Sequence, residues 1–244
     1  MIDCVFDGSF NGLLTLVFDT WRIRDKVASV IQEPDAGSLL PQRFYYTQDN
    51  KASRVREYID NRMGEEFAFL VKAAFLSSRP ERFRAIVNTI HRACEMGPKA
   101  LGLLEDDVLC FLDCHKEVTR EAHRFQGLLR LREMADGSLL AVFAPRHHVL
   151  PLIMPHFADR FPGENLIIYD EGRHIAGLSE KGVVNLARVA GLQPQDSDGE
   201  RELEELWRVF FSRLAIKERL NPRLQMQHMP RYTWKHLPEM RETP

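Results

Sequence analysis

The first fifty residues alternate between short β-prone runs and one helical run. Residues 2–6 form a short β-prone run that is closed by Asp7-Gly8, which is typical of a buried edge or first strand. Ser9 then stands at the N-cap position of an amphipathic helix that extends to about Trp21, because apolar residues recur there at helical spacing. The aromatic run at residues 43–47 predicts a second strand. The chain therefore opens as strand, turn and helix.

From residue 51 to about residue 124 the apolar positions follow a 3.6-residue period. Breaks at Gly64 and Pro80 divide the part up to about residue 96 into three helices. A further helix is predicted at residues 105–124. This region, about 51–124, is predicted to be entirely helical.

After residue 125 the pattern changes to strands. Two pairs of β-prone runs each surround a turn that contains glycine, at residues 126–143 and 165–178, and each pair predicts a hairpin. A helix is predicted between them at residues 150–161. Together these elements predict a ββαββ unit at about 126–178.

The last fifty residues predict a helix and a tail. A polar run at residues 193–199 is typical of a surface loop or linker, and a helix follows it at about 200–217. The residues expected to face inward on this helix are Leu203, Leu206, Trp207, Phe210 and Phe211. The sequence thus predicts an α+β fold with a core at residues 1–198 in one globular unit. The helix and basic tail at residues 199–244 are expected to pack on or beside it.

Composition indicates a cytoplasmic protein without a membrane span. The chain has 244 residues, of which 44% are hydrophobic and 28% charged, close to the average for globular proteins. No run approaches the roughly 18 apolar residues that a membrane helix needs. The first ten residues carry acids where a secretory signal carries Lys or Arg. Four cysteines do not make a disulfide framework, so we expect thiols in a reducing compartment.

Charge is distributed unevenly along the chain. A formal net charge of −2 argues against a protein that coats nucleic acid with its whole surface. Residues 207–241, however, hold eight Lys or Arg against two Glu, with aromatic residues interleaved. Phosphates need cations, and unstacked bases stack on aromatic or guanidinium faces at roughly 1 to 3 kcal/mol each. The predicted nucleic-acid-binding residues are Lys217, Arg219, Arg223, Arg231, Tyr232, Trp234 and Lys235.

Two alternatives for this tail stay open. In the first, its aromatic residues pin the tail onto the core while its cations remain solvated. In the second, Tyr232 and Trp234 are anchors for a partner protein, and the chain is purely a protein-interaction module.

A second group of candidates lies in or beside the ββαββ unit. Imidazole and carboxylate groups there could form a general acid and base pair, since histidine titrates near neutrality. The candidate catalytic residues are His123, His147, Asp170 and Arg173. The zincin and base-deaminase signatures are lacking, so no metal and no cofactor is predicted.

The turn at Asp7, Gly8 and Ser9 is a candidate anion-binding site. Backbone N–H groups at a strand-to-helix turn can receive an anion with help from the helix dipole. The glycine-rich nucleotide-binding patterns are absent, and the simpler reading is that Ser9 is an N-cap.

Five motifs are distributed over nearly the whole chain. They are DGSFNGLLTLVF at 7–18, EAHRFQGLLRL at 121–131, HHVLPLIMPHFADRFPG at 147–163, IIYDEGR at 167–173 and IKERLNPRLQMQHMPRYTWKHLPEM at 216–240. Together they resemble an uncharacterised bacterial family labelled probable DNA metabolism protein. The resemblance implies a gene neighbour that is a radical SAM protein of DNA modification or repair. Some relatives are fused to a uracil-DNA-glycosylase-like domain.

The DNA context that the resemblance implies, together with the basic tail and the missing catalytic signatures, favours an accessory nucleic-acid-binding protein in DNA repair or modification. The expected partners are single-stranded or damaged DNA and the radical SAM protein. This chain lacks the radical SAM ligand set itself, because Cys110 and Cys114 are followed by Glu117 where the third cysteine belongs. A hydrolytic or base-processing enzyme that uses the His and Asp candidates is the alternative, and the absence of a catalytic signature favours a non-catalytic role.

Overall fold

The computed structural model describes residues 1–192, 195–214 and 221–240. Helices and strands are mixed along the chain, so the predicted α+β class is confirmed. The chain divides into two compact units, Met1–Thr119 and Arg120–Pro244, where the sequence predicted one. The division falls within a long helix at residue 119, whereas the sequence predicted a boundary after residue 198.

The elements follow the predicted order, with two additional strands and one additional helix at residues 222–228. The helices are α1 (Phe10–Thr20), α2 (Asp49–Tyr58), α3 (Gly64–Phe75), α4 (Arg82–Met96), α5 (Asp106–Leu128), α6 (Leu150–Arg160), α7 (Asp198–Leu214) and α8 (Pro222–His228). The strands are β1 (Ile2–Phe6), β2 (Val27–Ile31), β3 (Gln42–Tyr45), β4 (Arg132–Glu133), β5 (Leu139–Phe143), β6 (Leu166–Asp170), β7 (Ile175–Glu180) and β8 (Val183–Arg188). β2 and β8 were not predicted.

Unit 1 is a three-stranded parallel sheet covered by helices. The strand order is β2-β1-β3, and α1 forms the crossover between β1 and β2. Cys4 and Phe6 of β1 belong to the same buried core as Leu13 of α1. The ring of Phe6 meets that of Phe83 on α4 edge to face, with centroids 4.9 Å apart. Two apolar surfaces, the sheet and the helices, therefore bury each other.

Unit 2 is built on a five-stranded sheet in the order β4-β5-β6-β7-β8. The β5 and β6 strands are parallel and the other neighbours are antiparallel. The helix α6 lies on the sheet at Gly177, where an added Cβ would come within 2.4 Å of the Met154 sulfur. A side chain at this position would displace the Met154 thioether, so the glycine lets Met154 pack directly on β7.

Two sequence predictions in unit 2 are corrected by the structure. The strand predicted at 126–133 shrinks to Arg132–Glu133, because α5 continues to Leu128. Buried Ala122 and Phe125 keep the helical spacing of the preceding turns, so the helix has no reason to end earlier. On α7, the five residues predicted to face inward are all exposed. The helical period indicates which residues share a face, but not where that face points.

Within the described ranges, no helix combines the length and the apolar character that a membrane crossing requires.

Candidate nucleic-acid interface

A buried glutamate joins three parts of unit 2. Glu121 lies on α5 and is only 3% exposed. Its carboxylate accepts hydrogen bonds from the backbone N–H of Arg146 at 3.0 Å and of His147 at 2.7 Å. It also accepts a bond from the Tyr232 hydroxyl at 2.7 Å. A buried carboxylate is stable only when it is well paired, so these three donors explain how Glu121 can be buried.

The Tyr232 hydroxyl remains protonated across the physiological range. Burial, and then the hydrogen bond to Glu121, raise the pKa of Tyr232 to about 12. The phenol is therefore a permanent donor to Glu121 at neutral pH. The C-terminal segment is tied to α5 through this bond.

A second buried carboxylate holds the same loop from its other side. Asp170, at the end of β6, is fully buried and pairs with the Arg173 guanidinium at 3.0 Å. That guanidinium also donates to the carbonyl oxygens of Pro145 at 3.0 Å and of Arg146 at 2.5 Å. In the loop at residues 145–147, Glu121 therefore accepts from the N–H groups of Arg146 and His147, and Arg173 donates to the carbonyls of Pro145 and Arg146.

This double attachment positions Arg146 at the surface. The Arg146 side chain is exposed, and its guanidinium lies 4.9 Å from the centroid of the Tyr232 ring. A guanidinium over an aromatic face is held by cation–π attraction and keeps its N–H groups available for other partners. Arg124 lies beside the same phenol, with its guanidinium 3.4 Å from the hydroxyl oxygen.

The C-terminal segment that holds Tyr232 carries two further exposed cations, Arg231 and Lys235. Residues Arg231–His236 form a 3-10 helix, in which the Trp234 indole N–H donates to the Met229 carbonyl at 2.8 Å. The Arg231 guanidinium lies 5.8 Å from the Trp234 ring centroid. Lys235 is 69% exposed along its side chain and reaches the Glu171 carboxylate at 2.5 Å. We call Arg146, Arg231 and Lys235 the cationic surface, and residues 231–236 the anchored segment.

The charges around the cationic surface do not cancel. The cationic surface, together with Arg124 beside Tyr232 and Arg173 beside the loop at residues 145–147, contains five basic side chains. The carboxylates bonded to these residues or to Tyr232 are three, Glu121, Asp170 and Glu171. Two of these carboxylates are buried and engaged by internal donors. The positive groups therefore dominate what a ligand in solution meets.

A cleft of about 290 Å³ lies over the sheet beside Lys235. Val142 and Tyr169, neighbours on β5 and β6, are among its lining residues together with Arg130 and Arg132. Arg130 pairs with Glu200, and Arg132 pairs with Asp196 at 3.1 Å. Both arginines are therefore engaged by carboxylates, as Lys235 is by Glu171.

The structure places the predicted nucleic-acid-binding residues in three groups. Arg223, Arg231 and Lys235 are exposed. Tyr232 and Trp234 are half-buried, with their polar atoms bonded to the protein. Their rings are therefore supports for the cations rather than open stacking platforms. Lys217 and Arg219 lie outside the described residues.

Three of the four candidate catalytic residues lie in one network. Asp170 and Arg173 are paired directly, and the Arg146-His147 backbone is bonded to Glu121. His123 is exposed and lies two residues from Glu121 on α5, which is about 200° around the helix. Because Glu121 points into unit 2, His123 points away from the network. The bonds between the other three fix the loop, and their catalytic role stays a prediction.

The candidate anion site at Asp7, Gly8 and Ser9 is filled by the chain itself. Ser9 caps α1 by accepting from the Gly12 N–H at 2.9 Å, as predicted. The Asp7 carboxylate accepts from the Ser9 N–H at 2.9 Å and from the Thr47 hydroxyl at 2.5 Å. Burial acts to raise the pKa of Asp7, but the bonds from Thr47 and Ser9 outweigh it and lower that pKa. A carboxylate at this position repels a second anion.

The described part of the chain contains no group of three or more His, Cys, Asp or Glu side chains that could hold a metal ion. Burial, as the largest cause, raises the pKa of Cys114 to about 12, so this thiol stays protonated and unreactive at neutral pH.

Sequence reasoning missed Glu121 and Arg146. Glu121 occupies an apolar position of α5, three residues after buried Val118 and four before buried Phe125. An acid on the apolar face of a helix predicts a buried, paired carboxylate, so this signal was present in the sequence. Arg146 had no such signal, because its position depends on a loop held by residues 25 or more positions away.

The fold and this site define an α+β protein that presents cations on a rigid frame. A family model described as a domain of unknown function, DUF4130, matches residues 80–239, which is more than half of the chain. The chain belongs to this family. No curated protein and no solved structure matches it.

Proposed function

We propose that this chain is an accessory nucleic-acid-binding protein of DNA repair or modification, which works with a radical SAM protein. It holds single-stranded or damaged DNA on the cationic surface and performs no chemistry of its own. The observation that carries the proposal is the exposure of Arg146, Arg231 and Lys235 on a frame fixed by the bond between Tyr232 and Glu121.

Preorganisation supports this function. Immobilising a flexible side chain on binding costs about 0.5 to 1.5 kcal/mol, and Arg146 and Arg231 are already held over aromatic rings. Each guanidinium offers N–H groups to phosphate and a planar face to an unstacked base. Such contacts are independent of sequence and favour single strands, in which bases are free to stack.

The partner follows from the family resemblance together with the state of the cysteines. The resemblance implies a radical SAM neighbour, while Cys110 and Cys114 lack a third cysteine at Glu117. The buried Cys114 thiol, with its raised pKa, is a poor cluster ligand. The radical chemistry is therefore assigned to the partner protein, and DNA presentation to this chain.

A binding titration with fluorescently labelled single-stranded DNA tests the proposal. The triple variant Arg146→Ala, Arg231→Ala and Lys235→Ala is expected to bind at least about tenfold more weakly, because three phosphate contacts are removed. The oligonucleotide should be recovered intact, since the chain is not expected to cut or modify it. Equal affinity of the triple variant and the wild-type chain would refute the proposal.

Arg160→Ala is the matched control. Its guanidinium is also exposed and lies 5.6 Å from an aromatic centroid, that of Phe161. Arg160 ends the 11-residue helix α6, about 15 Å along the helix from Leu150, the residue nearest the loop at 145–147 in the chain. Its removal should change the affinity less than twofold.

A further inference from the structure

The helix α7 carries a row of large apolar side chains on its surface. Each of these side chains is between 39% and 65% exposed. They are Leu203, Leu206, Trp207, Phe210, Phe211 and Leu214, which we call the apolar stripe. Residues 203, 207, 210 and 214 follow the 4-3-4 spacing of a helix–helix seam.

Polar contacts attach α7 to unit 2 at its first turn and midway along it. Glu200 is buried and pairs with Arg130, and it also accepts from the Glu133 N–H at 3.1 Å. The Arg208 guanidinium donates to the Pro238 carbonyl at 3.3 Å. These contacts fix the orientation of α7, and in that orientation the six side chains of the apolar stripe are exposed.

The area of the apolar stripe fits a specific interface. Six large side chains at these exposures present on the order of 600 Å², the upper end for the largest patch on a monomer. Two such stripes together reach the roughly 1,200 Å² at which specific protein interfaces begin. The area of the apolar stripe is therefore large enough for an interface with a second copy of α7.

Charge along α7 distinguishes a second copy from other occupants. Residues 198–205 contain five acids and one arginine, whereas residues 206–214 contain two arginines and no acid. In an antiparallel pair, the acidic half of each helix lies against the basic half of the other. A parallel pair would instead place like charges together.

We propose that α7 is a dimerisation helix, which binds α7 of a second copy in antiparallel orientation through the apolar stripe. The interface is isologous, since the same stripe serves both copies. The dimer brings two cationic surfaces into one assembly, so that one DNA strand can be held at two points.

Sedimentation equilibrium of the full chain over about 1 to 100 μM tests the dimer. The wild-type chain should shift from monomer to dimer with concentration, and Phe210→Glu should weaken the dimer at least about tenfold. Leu186→Glu, which changes an exposed apolar residue of β8, should leave the dimer intact. A wild-type chain that stays monomeric throughout, including one that uses α7 only to bind another protein, overturns the proposal.

Two charge variants test the antiparallel orientation without altering the apolar stripe. Arg213→Glu makes α7 more acidic, and the pair Glu202→Arg with Glu205→Arg makes it more basic; all three residues are exposed. Each variant alone should dimerise at least about threefold more weakly than the wild type, and an equimolar mixture should recover the association. Variants that dimerise as tightly as the wild type overturn the antiparallel arrangement.

Discussion

The anchored segment and α7 have the same kind of sequence but opposite structural roles. Both combine aromatic residues with arginine, and each is amphipathic. In the anchored segment the aromatic side faces inward, since the Tyr232 hydroxyl donates a hydrogen bond to Glu121 and the Trp234 indole N–H donates one to the Met229 carbonyl. On α7 the aromatic rings are exposed, while Glu200 and Arg208 make polar contacts with unit 2.

This difference shows that polar partners decide which face of a segment is buried. The Tyr232 ring is half-buried because its hydroxyl donates a hydrogen bond to the buried Glu121 carboxylate. The Trp207 indole N–H bonds to Glu239 at 2.9 Å, while the ring itself stacks on Phe210 at the surface. The anchored segment therefore presents cations to a ligand, and α7 presents apolar area to a protein.

The largest expected effect comes from removing the acceptor under the anchored segment. Glu121→Ala leaves two backbone N–H groups and the Tyr232 hydroxyl without their partner, and we expect a loss of about 3 to 5 kcal/mol in the free energy of unfolding. Urea denaturation measures this loss. Glu180→Ala, at an exposed position of β7, should cost less than about 0.5 kcal/mol.

Removing only the Tyr232 hydroxyl should have a smaller effect. Tyr232→Phe keeps the ring under Arg146 but leaves Glu121 with two donors, so we expect a loss of about 1 to 3 kcal/mol. Tyr46→Phe, at an exposed tyrosine, is the control and should be neutral. If both variants unfold at the same urea concentration, Tyr232 does not anchor the segment.

An aromatic residue of α7 should matter much less to the stability of the monomer. Phe210→Ser is expected to cost less than about 0.5 kcal/mol at low protein concentration, whereas a core phenylalanine costs about 3 to 5 kcal/mol. Thermal unfolding at about 1 μM measures the difference. A loss of several kcal/mol would mean that the apolar stripe is buried within one chain.

The smallest expected effect is a pH dependence of unit 2. Burial, and then the charge of Arg173, lower the pKa of His148. A group with a lowered folded-state pKa binds its proton more readily when unfolded, so its stability contribution is present above pH 6.5 and is lost as the pH falls through the folded-state pKa. The free energy of unfolding should decrease from pH 7.5 to 5.5, and His148→Gln should reduce that decrease. An unaltered slope would contradict this role of His148.

The sequence was informative wherever local pattern determines structure. The Ser9 cap, the strand Ile2–Phe6 and the helix Leu150–Arg160 all follow from short-range periodicity and capping. The sequence was uninformative where contacts between residues far apart in the chain determine the position of a side chain or the orientation of a helix. The cationic surface depends on Arg146, which is placed by Glu121 and Arg173, and the outward direction of α7 depends on Glu200 pairing with Arg130.

The salt dependence of DNA binding tests the central claim most directly. For single strands, each phosphate contact contributes about 0.7 to the slope of log K against log salt concentration. Between the wild-type chain and the variant without Arg146, Arg231 and Lys235, this slope should fall by about 2 in magnitude, while Arg160→Ala leaves it unchanged. Identical slopes for the wild type and the triple variant would show that the cationic surface does not contact DNA.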